Sequence, residues 1–417
     1  MHMGDARERE IRGLYDALAK QTRERLGTII ETICQAKERG GRLCVVTGSG
    51  PNLHEGVTTL VAELIRKGVV DGVLTSSAVV AHEMAGTLEK VYRVDGQGLG
   101  MEQDLLPADG KFEISLCGEE VLGKLEGEME IDRELIRKAL AMKGDTIIKA
   151  AGNMSYPLGL RTEMISREIC EVARSKGLSF EETAGLGADP RTMIGAAAEM
   201  GVPLVVTVPQ LVGGGSVGMD IADSTSMRDR SRRVAKVLDA CDVIVESALA
   251  LAQEVHDGPF ETYTGHGIWS RWIGDRTYRL KDKQLVRIDL DPNLELAWKK
   301  EKESGRVKEA VAKGLPKTKI LGIPFRMEMS GFARLPNSLP IVGDIGRIWP
   351  IMGHEVAKRL GVKLDFISYP QETESGKKMR EWIVEQVGIL DRERMHAGLG
   401  SRASSVRRPM RASSLAH

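Results

Sequence analysis

Short apolar runs, each bounded by glycine or polar turn residues, recur along the 417-residue chain with helical patterns between them. The runs are apolar throughout rather than alternating, which is typical of parallel strands covered on both faces. Alternation of such strands with helices predicts an α/β fold with a doubly wound, mostly parallel sheet. The predicted strands are Leu43–Thr47, Val69–Leu74, Asp145–Ala150, Val202–Val208, Asp242–Val245, Leu285–Leu290 and Leu339–Val342.

Three regions depart from this pattern and set the predicted domain boundaries. Residues 1–40 carry apolar side chains at helical spacing, which predicts an N-terminal helical segment. Residues 41–390 form the predicted catalytic domain, in which the acidic, weakly patterned residues 96–143 are an exposed insertion or a helical lid. Residues 391–417 end in a Ser/Arg-rich stretch, which predicts a disordered basic tail.

Charge and cysteine content exclude several classes of function. Lys plus Arg and Asp plus Glu both total 59, so no net field attracts nucleic acid or an anionic membrane. The five cysteines are widely spaced, which argues against a metal site or a disulfide framework and indicates a reducing compartment. No run approaches the roughly 18 apolar residues of a membrane helix, and the first residues are charged where a signal peptide is apolar. We therefore expect a soluble, cytoplasmic protein without a metal, nucleic-acid or membrane partner.

The turn after the first predicted strand is a candidate cofactor site. Ligands of open parallel sheets bind beyond the carboxyl ends of the strands, and small residues there let a pyrophosphate approach the backbone. No third glycine falls at GxGxxG spacing, so a tight turn without a ligand is the alternative. The candidate cofactor-binding residues in this turn are Gly48, Ser49, Gly50 and Asn52.

Hydroxyl groups and a histidine follow the second predicted strand. Thr75, Ser76 and Ser77 are candidate cofactor-binding residues, although no acid stands there to hold an adenosine ribose. His82 comes later, and its ordinary pKa near neutrality makes it a candidate acid or base. A purely structural histidine is the alternative.

Later strand ends carry a glycine run and several polar residues. Three consecutive glycines cost backbone entropy, which favours close approach to a ligand or an unusual turn. The acids after the last two predicted strands fit a nucleotide cleft or ordinary turns. The candidate cofactor-binding residues in these positions are Asn153, Gly213, Gly214, Gly215, Ser216, Asp289, Asp291 and Asp344.

Residues 252–272 gather carboxylates, histidines and two tryptophans in a short segment. Such a composition suits a pocket for a flat ring or a cation, through stacking and cation–π attraction. A surface loop with aromatic anchors is the alternative. The candidate catalytic residues in this segment are Glu254, His256, Asp257 and Arg271.

Taken in this order, the segments resemble an NAD-binding superfamily that contains deoxyhypusine synthase and the Rossmann-like domain of archaeal-type ornithine cyclodeaminases. GVTTLVAELIRKGVVDGVLTSSA and GVPLVVTVPQLVGGGSVGMD are similar to deoxyhypusine synthase, whereas VRIDLDPN and PIVGDIG match the cyclodeaminases in position. The resemblance covers roughly residues 41–351. It implies a Rossmann-like sheet, bound NAD, a small amine or amino-acid substrate, and a homo-oligomer, either a dimer or a tetramer.

One departure from deoxyhypusine synthase bears on the reaction. The imine-forming lysine of that family is replaced here by Arg271, in Trp269-Ser270-Arg271, and an arginine cannot act as an amine nucleophile. A transferase would need another lysine, and Lys149 stands at a strand end without a matching motif.

Both families begin by moving a hydride from an amine-bearing carbon to NAD, which gives an imine. If the chain shares this step, Glu254 and Asp257 would hold the ammonium group, and His82 or His256 would accept a proton. Arg271 would clamp a substrate carboxylate. The alternatives are a deoxyhypusine synthase-like aminobutyl transferase and a non-catalytic protein that binds NAD or another metabolite.

Overall fold

The computed structural model describes residues 3–48, 50–152, 154–211, 214–247, 280, 282–289 and 337–405, together with single positions between 293 and 323. The strands in chain order are β1 (Leu43–Thr47), β2 (Gly72–Thr75), β3 (Leu88–Asp95), β4 (Lys111–Ser115), β5 (Asp145–Ala150), β6 (Ser155–Tyr156), β7 (Leu204–Val206), β8 (Val243–Ser247), β9 (Gln284–Asp289) and β10 (Ser338–Val342).

Helices cover the sheets and separate most of the strands. In chain order they are α1 (Met3–Asp16), α2 (Lys20–Glu38), α3 (Pro51–His54), α4 (Val57–Arg66), α5 (Ser77–Met84), α6 (Glu119–Glu126), α7 (Arg133–Ala141), α8 (Leu158–Lys176), α9 (Phe180–Gly187), α10 (Met193–Met200), α11 (Gly215–Ser224), α12 (Met227–Asp239), α13 (Ile345–Arg359), α14 (Glu374–Gln386) and α15 (Arg392–Ser405). None of the described helices is both long enough and apolar enough to cross a membrane.

Six strands form the main sheet, in the order β7-β2-β1-β8-β9-β10, and every pair in it is parallel. Taken in chain order, these strands run outward from β1 to one edge and then from β8 to the other. This is the doubly wound order of two mononucleotide-binding halves, the Rossmann-like arrangement. The expected fold class is therefore confirmed.

Both faces of the main sheet are buried, which explains why its strands are apolar without alternation. β1 and β8 are buried along their whole length. Val45 and Val245 belong to a large core that also contains buried residues of α2, α4 and α13. On the other face, Val46 and Ile244 share a smaller core with Val234 and other residues of α12.

The N-terminal helices belong to the covering layer of the main sheet. α2 contacts α13 and β10, and α1 contacts α13. Leu26, Ile29, Ile30 and Ile33 of α2 are almost completely buried. The helical segment expected over residues 1–40 is thus part of the main core rather than a separate unit.

A second sheet, in the order β5-β3-β4-β6, lies between β2 and β7 in sequence. The sequence pattern predicts Asp145–Ala150 as a strand of the main sheet, and this prediction is wrong because β5 pairs antiparallel with β3 of the second sheet. β5 is an edge strand with only Ala150 buried, so it tolerates the charges of Asp145 and Lys149.

Residues 96–143 form most of the body around the second sheet. They include β4, α6 and α7, which share a small core with Val94 and Leu158. The segment is therefore neither a bare exposed insertion nor a simple helical lid. Its weak pattern reflects the small size of this core, since α6 and α7 bury only two residues each.

Residues 392–405 form helix α15, although the sequence pattern predicts a disordered tail from residue 391. Met395 is fully buried and Leu399 is buried, both in α15. Arg392 and His396 bond to Glu168 of α8 at 2.6 and 2.8 Å. The composition does not reveal this packing, because a few apolar residues among many charges are enough to anchor a helix on α8 and α9.

Candidate functional site

Three strand ends meet at the carboxyl edge of the main sheet. Thr47 at the end of β1 lies opposite Thr75 of β2 and Ser247 of β8. β1 and β8 begin the two halves of the sheet, so the strand order reverses between them. We call this switch point the split of the sheet, and a doubly wound fold binds its ligand there, at the carboxyl ends of the strands. This split is the geometric centre of the candidate site.

The turn after β1 has an open backbone at Gly50. Gly50 has φ +63°, and nothing lies within 4 Å of the place where a side chain would project. Pro51 then begins α3. Backbone that is open in this way allows the close approach that a pyrophosphate needs.

Asn52 and the hydroxyls after β2 are engaged within the protein. Asn52 is fully buried and bonds to Ser247. Thr75 Oγ1 donates to Thr47 O at 2.8 Å, Ser76 Oγ caps α5, and Ser77 Oγ donates to Gln210 O at 3.2 Å. Asn52, Thr75 and Ser77 thus join neighbouring strand ends and turns, whereas Ser76 caps its own helix.

The glycine run leads into α11, whose first turn is occupied by a carboxylate. Glu163 of α8 accepts hydrogen bonds from Ser216 N and Ser216 Oγ, both at 3.2 Å. A side chain at Gly215, which has φ +56°, would overlap Glu163 Oε1, and one at Gly214 would overlap Ser77 Oγ. Packing inside the protein thus accounts for these two glycines, and Glu163 supplies the negative charge that a helix N-terminus favours.

His82 lines a cavity of about 210 Å³ beside this helix start. The side chain is nearly buried, and its Nδ1 lies 2.7 Å from Ala151 O. Because a carbonyl only accepts, Nδ1 carries the proton of this bond. Burial also lowers the pKa of His82, so the ring is neutral at neutral pH and Nε2 keeps its lone pair. Gly152, Thr162, Glu163, Gly214 and Gly215 line the same cavity.

Lys149 is paired rather than free. Its ammonium group bonds to Glu113, and its side chain is largely buried in the second sheet. Glu113 also accepts from Arg93 at 3.1 Å. An amine held in an ion pair of this kind is committed to a partner, whereas Schiff-base chemistry requires a free amine.

Asp344 caps its own helix at the end of β10. Its Oδ1 accepts from Gly346 N at 3.0 Å, and its Oδ2 lies 3.7 Å from Arg347 Nε. Glu55, which follows α3, lies against Gly346 and accepts from Gln371 N at 2.7 Å. Burial raises the pKa of Glu55 to about 7, with Asp344 among the nearby negative charges. The structure therefore places a second titratable carboxyl near the turn after β1.

Glu55 and Glu163 did not stand out in the sequence. Both are glutamates on or beside ordinary amphipathic helices, and their positions depend on how distant elements pack. No local motif indicates either of them.

Several candidate residues lie outside the described part of the chain. Asp289 ends β9, but only its backbone is described. The others are Ser49, Asn153, Gly213, Glu254, His256, Asp257, Arg271 and Asp291. Their expected roles therefore stay predictions.

Among the described residues, Glu8, His354 and Glu355 bring three ligand-type groups within 4.8 Å of one another. Glu8 also bonds to the ammonium group of Lys358. Its charge is therefore already compensated on the surface of α1 and α13.

Comparison with known proteins shows distant structural likeness only. No family model and no curated protein matches the chain. Arginine dihydrolase ArgZ from the ornithine–ammonia cycle in Cyanobacteria is 12% identical with a TM-score of 0.38, over 80% of this chain and 31% of that chain. AgrE in a ternary complex with ornithine and NAD+ is 13% identical with a TM-score of 0.39, over 82% and 34%.

A conserved putative LOR/SDH protein from Methanococcus maripaludis S2 is 11% identical with a TM-score of 0.40, over 81% of this chain and 70% of that chain. The chain thus spans about a third of the length of ArgZ and AgrE. Identities and TM-scores of this size assign no function.

Proposed function

We propose that the chain is an NAD-dependent enzyme that takes hydride from the amine-bearing carbon of an amino acid or small amine, giving an imine. The observation that carries this proposal is the order of the main sheet, which splits between β1 and β8. A sheet of this order binds dinucleotides across that split. Cofactor and substrate would then share the carboxyl edge where the polar turns lie.

The residues at the split fit a dinucleotide in part. The open backbone at Gly50 would hold the pyrophosphate, with Asn52 and Ser247 keeping the turn in place. β2 supplies no acid for a ribose, and the hydroxyls beside it are engaged elsewhere. NAD, when bound, would supply the hydride acceptor.

The chain's own residues would bind and orient the substrate. His82 and Glu163 lie at the same edge of the sheet and present acceptor atoms to a cavity. We assign to Glu254, His256, Asp257 and Arg271 the roles that the sequence resemblance implies. The pairing of Lys149 with Glu113 weighs against an aminobutyl transferase that uses this lysine.

Cofactor binding is tested first, by calorimetry with NAD on Gly50→Ala and Gly40→Ala. Both glycines have positive φ with open space around them, so each change adds backbone strain without a steric clash. Gly40 lies between α2 and the start of β1, so it is at the amino ends of the strands. We expect weaker NAD binding only in Gly50→Ala, and equal affinity in the two variants would remove the proposed pyrophosphate turn.

Activity is tested by the appearance of NADH absorbance with a panel of amino acids and amines. Arg271→Lys and Arg271→Ala should lose preference for ornithine over a polyamine, whereas Arg137→Lys on α7 should keep it. NAD binding without turnover of any substrate in the panel would favour the non-catalytic alternative. Absence of NAD binding at millimolar concentration would overturn the proposal.

A further inference from the structure

The cavity beside His82 presents hydrogen-bond acceptors without free donors among its described lining. The backbone amides of Gly214 and Gly215 both donate to Leu211 O. Gly152 N donates to Glu89 Oε1 at 2.8 Å. The remaining lining residues, apart from those discussed next, carry apolar side chains.

His82 contributes an acceptor. Its Nδ1–H is used by Ala151 O, so Nε2 is the polar atom of the ring left for the cavity, and it carries a lone pair in the neutral form. His82 as a residue is only 7% exposed, and none of the described residues hydrogen-bonds to its Nε2. An acceptor atom that opens into a cavity from a largely buried ring favours a ligand that donates.

Thr162 and Glu163 contribute two more acceptors from the first turns of α8. Thr162 Oγ1 donates its proton to Leu158 O at 2.9 Å, which leaves its lone pairs available. Glu163 uses its carboxylate for Ser216, but an ionised carboxylate has about four acceptor positions. The cavity therefore offers a negative charge and two neutral acceptors.

We infer that this cavity binds the ammonium group of the substrate, with Glu163 as its counter-ion and with His82 Nε2 and Thr162 Oγ1 as acceptors. A primary ammonium group has three N–H donors and one positive charge, which matches this set. The class of substrate, an amino acid or small amine, is taken from the proposed function, and to that extent the inference rests on it. It adds Glu163 and Thr162 to the residues that recognise it.

The size of the cavity agrees with an end group rather than a whole ligand. About 210 Å³ is below the roughly 300 to 1,000 Å³ of pockets that enclose drug-sized molecules. The ammonium end and the first carbons of a substrate would enter, while the rest extends toward the strand ends.

The basic groups that face His82 are Lys149 and His54, and burial lowers the pKa of His54. Lys149 is bonded to Glu113. Glu89 lies behind Gly152 and accepts from Gly152 N and Ser155 Oγ, and burial raises its pKa. Glu163 is the carboxylate that lines the cavity itself, so it is the counter-ion that this cavity supplies.

The test measures binding of butylamine to the full chain without cofactor, by calorimetry and by ¹⁵N NMR of the His82 ring. Butanol is the matched neutral ligand, and Glu171→Gln is the matched control, since Glu171 is an exposed glutamate further along α8. Glu163→Gln keeps an acceptor for Ser216 but removes the charge. We expect it to weaken butylamine binding by about tenfold or more and to leave butanol unaffected.

His82→Asn gives an independent second variant. The asparagine amide can replace the Nδ1 donor to Ala151 O but offers no Nε2 acceptor, so butylamine should bind more weakly while the fold is kept. In the wild type, butylamine should shift the Nε2 resonance. Unchanged butylamine binding in Glu163→Gln and in His82→Asn would overturn the inference.

Three further outcomes test this inference and separate it from the proposed function. If NAD binds normally but butylamine binds Glu163→Gln as tightly as the wild type, the proposed ammonium site is wrong and the proposed function stands. If Glu163→Gln instead strengthens inorganic phosphate binding, the helix start of α11 is an anion site and the inference fails. If butylamine binds through Glu163 but NAD never binds, the proposed function fails and the amine site remains.

Discussion

Asn52 and Ser247 bond to each other in both directions across the split of the main sheet. Ser247 Oγ donates to Asn52 Oδ1 at 2.8 Å, and Asn52 Nδ2 donates to Ser247 O at 3.3 Å. Trp349 Nε1 donates to the same Ser247 Oγ at 2.8 Å. The turn after β1, the end of β8 and helix α13 are thereby joined in one buried network.

Asn52→Ala should destabilise the fold by about 1–3 kcal/mol, because it leaves the Ser247 hydroxyl and carbonyl without their buried partner. Urea denaturation measures the change. Gln35→Ala lies on the exposed face of α2, where the Gln35 side chain bonds to neighbouring Glu31, and should stay within about 0.5 kcal/mol of the wild type. Equal effects of the two changes would contradict the structural role of Asn52.

The buried pair Glu181–Arg230 covers the outer edge of β7. The side chains are 2.5 Å apart and almost completely buried. Glu181 accepts from Val206 N at 2.8 Å, and Arg230 donates to Val206 O at 3.0 Å, so together they replace a neighbouring strand. Arg230→Met should cost about 3–5 kcal/mol, because Glu181 keeps an uncompensated buried charge.

A double-mutant cycle checks this interpretation of the Glu181–Arg230 pair. Adding Glu181→Met to Arg230→Met should recover part of the lost stability, since the unpaired charge is then removed. The exposed pair Glu134–Arg137 on α7 is the control and should show about 0.5 kcal/mol of coupling or less. If the changes in the free energy of unfolding of the two single variants simply add in the double variant, Glu181 and Arg230 do not act as a coupled pair.

Glu83 should make the protein more stable in mild acid. It is completely buried and accepts from Met193 N and Ile194 N at 2.8 and 3.0 Å, yet burial raises its pKa to about 7. The pKa in the folded state is above the ordinary 4.5. The stabilisation that protonated Glu83 gives the folded state is therefore fully present below pH 4.5 and is lost as the pH rises through 7.

The comparison of wild type with Glu83→Gln isolates this contribution, since Glu55 titrates in both proteins. The difference in free energy of unfolding should change by up to about 3 kcal/mol between pH 4.5 and 7.5. Denaturation at a series of pH values measures it. A difference that is flat across this range would refute the assignment.

Gly215→Ala should cost more than its backbone strain alone. The new methyl group would overlap the Glu163 carboxylate and displace it from the start of α11. Gly177→Ala has a similar positive φ with open space around it, so it measures the strain of about 1–2 kcal/mol by itself. The extra cost of Gly215→Ala should disappear in a Glu163→Ala background. Its persistence there would show that Glu163 is not the group displaced.

The sequence was sufficient for the main sheet because its strands obey a simple rule. β1, β2 and β7 are short apolar runs between turn residues, and their full burial requires that composition. β5 broke the rule, since an edge strand of a partly exposed sheet can carry charges on its length. The sequence of such a strand does not show which strand it pairs with, so the sheet to which it belongs cannot be predicted.

The candidate site was predictable only in outline. The polar turns after β1, β2 and β7 do gather at one edge, as parallel strands require. Their individual roles depended on contacts between distant residues, such as Asn52 with Ser247 and Ser216 with Glu163. Nothing local in the sequence distinguishes Glu163 from the other glutamates of α8.

The placement of the second sheet between β2 and β7 has a consequence for synthesis of the chain. A ribosome releases β1, β2 and then the entire second sheet before the strand that flanks β2 emerges. Domains fold largely in the order in which they leave the ribosome. In the nascent chain, the edge of β2 that later pairs with β7 therefore stays unpaired for the whole of that interval. β7 can pair with it only after the region around the second sheet has formed.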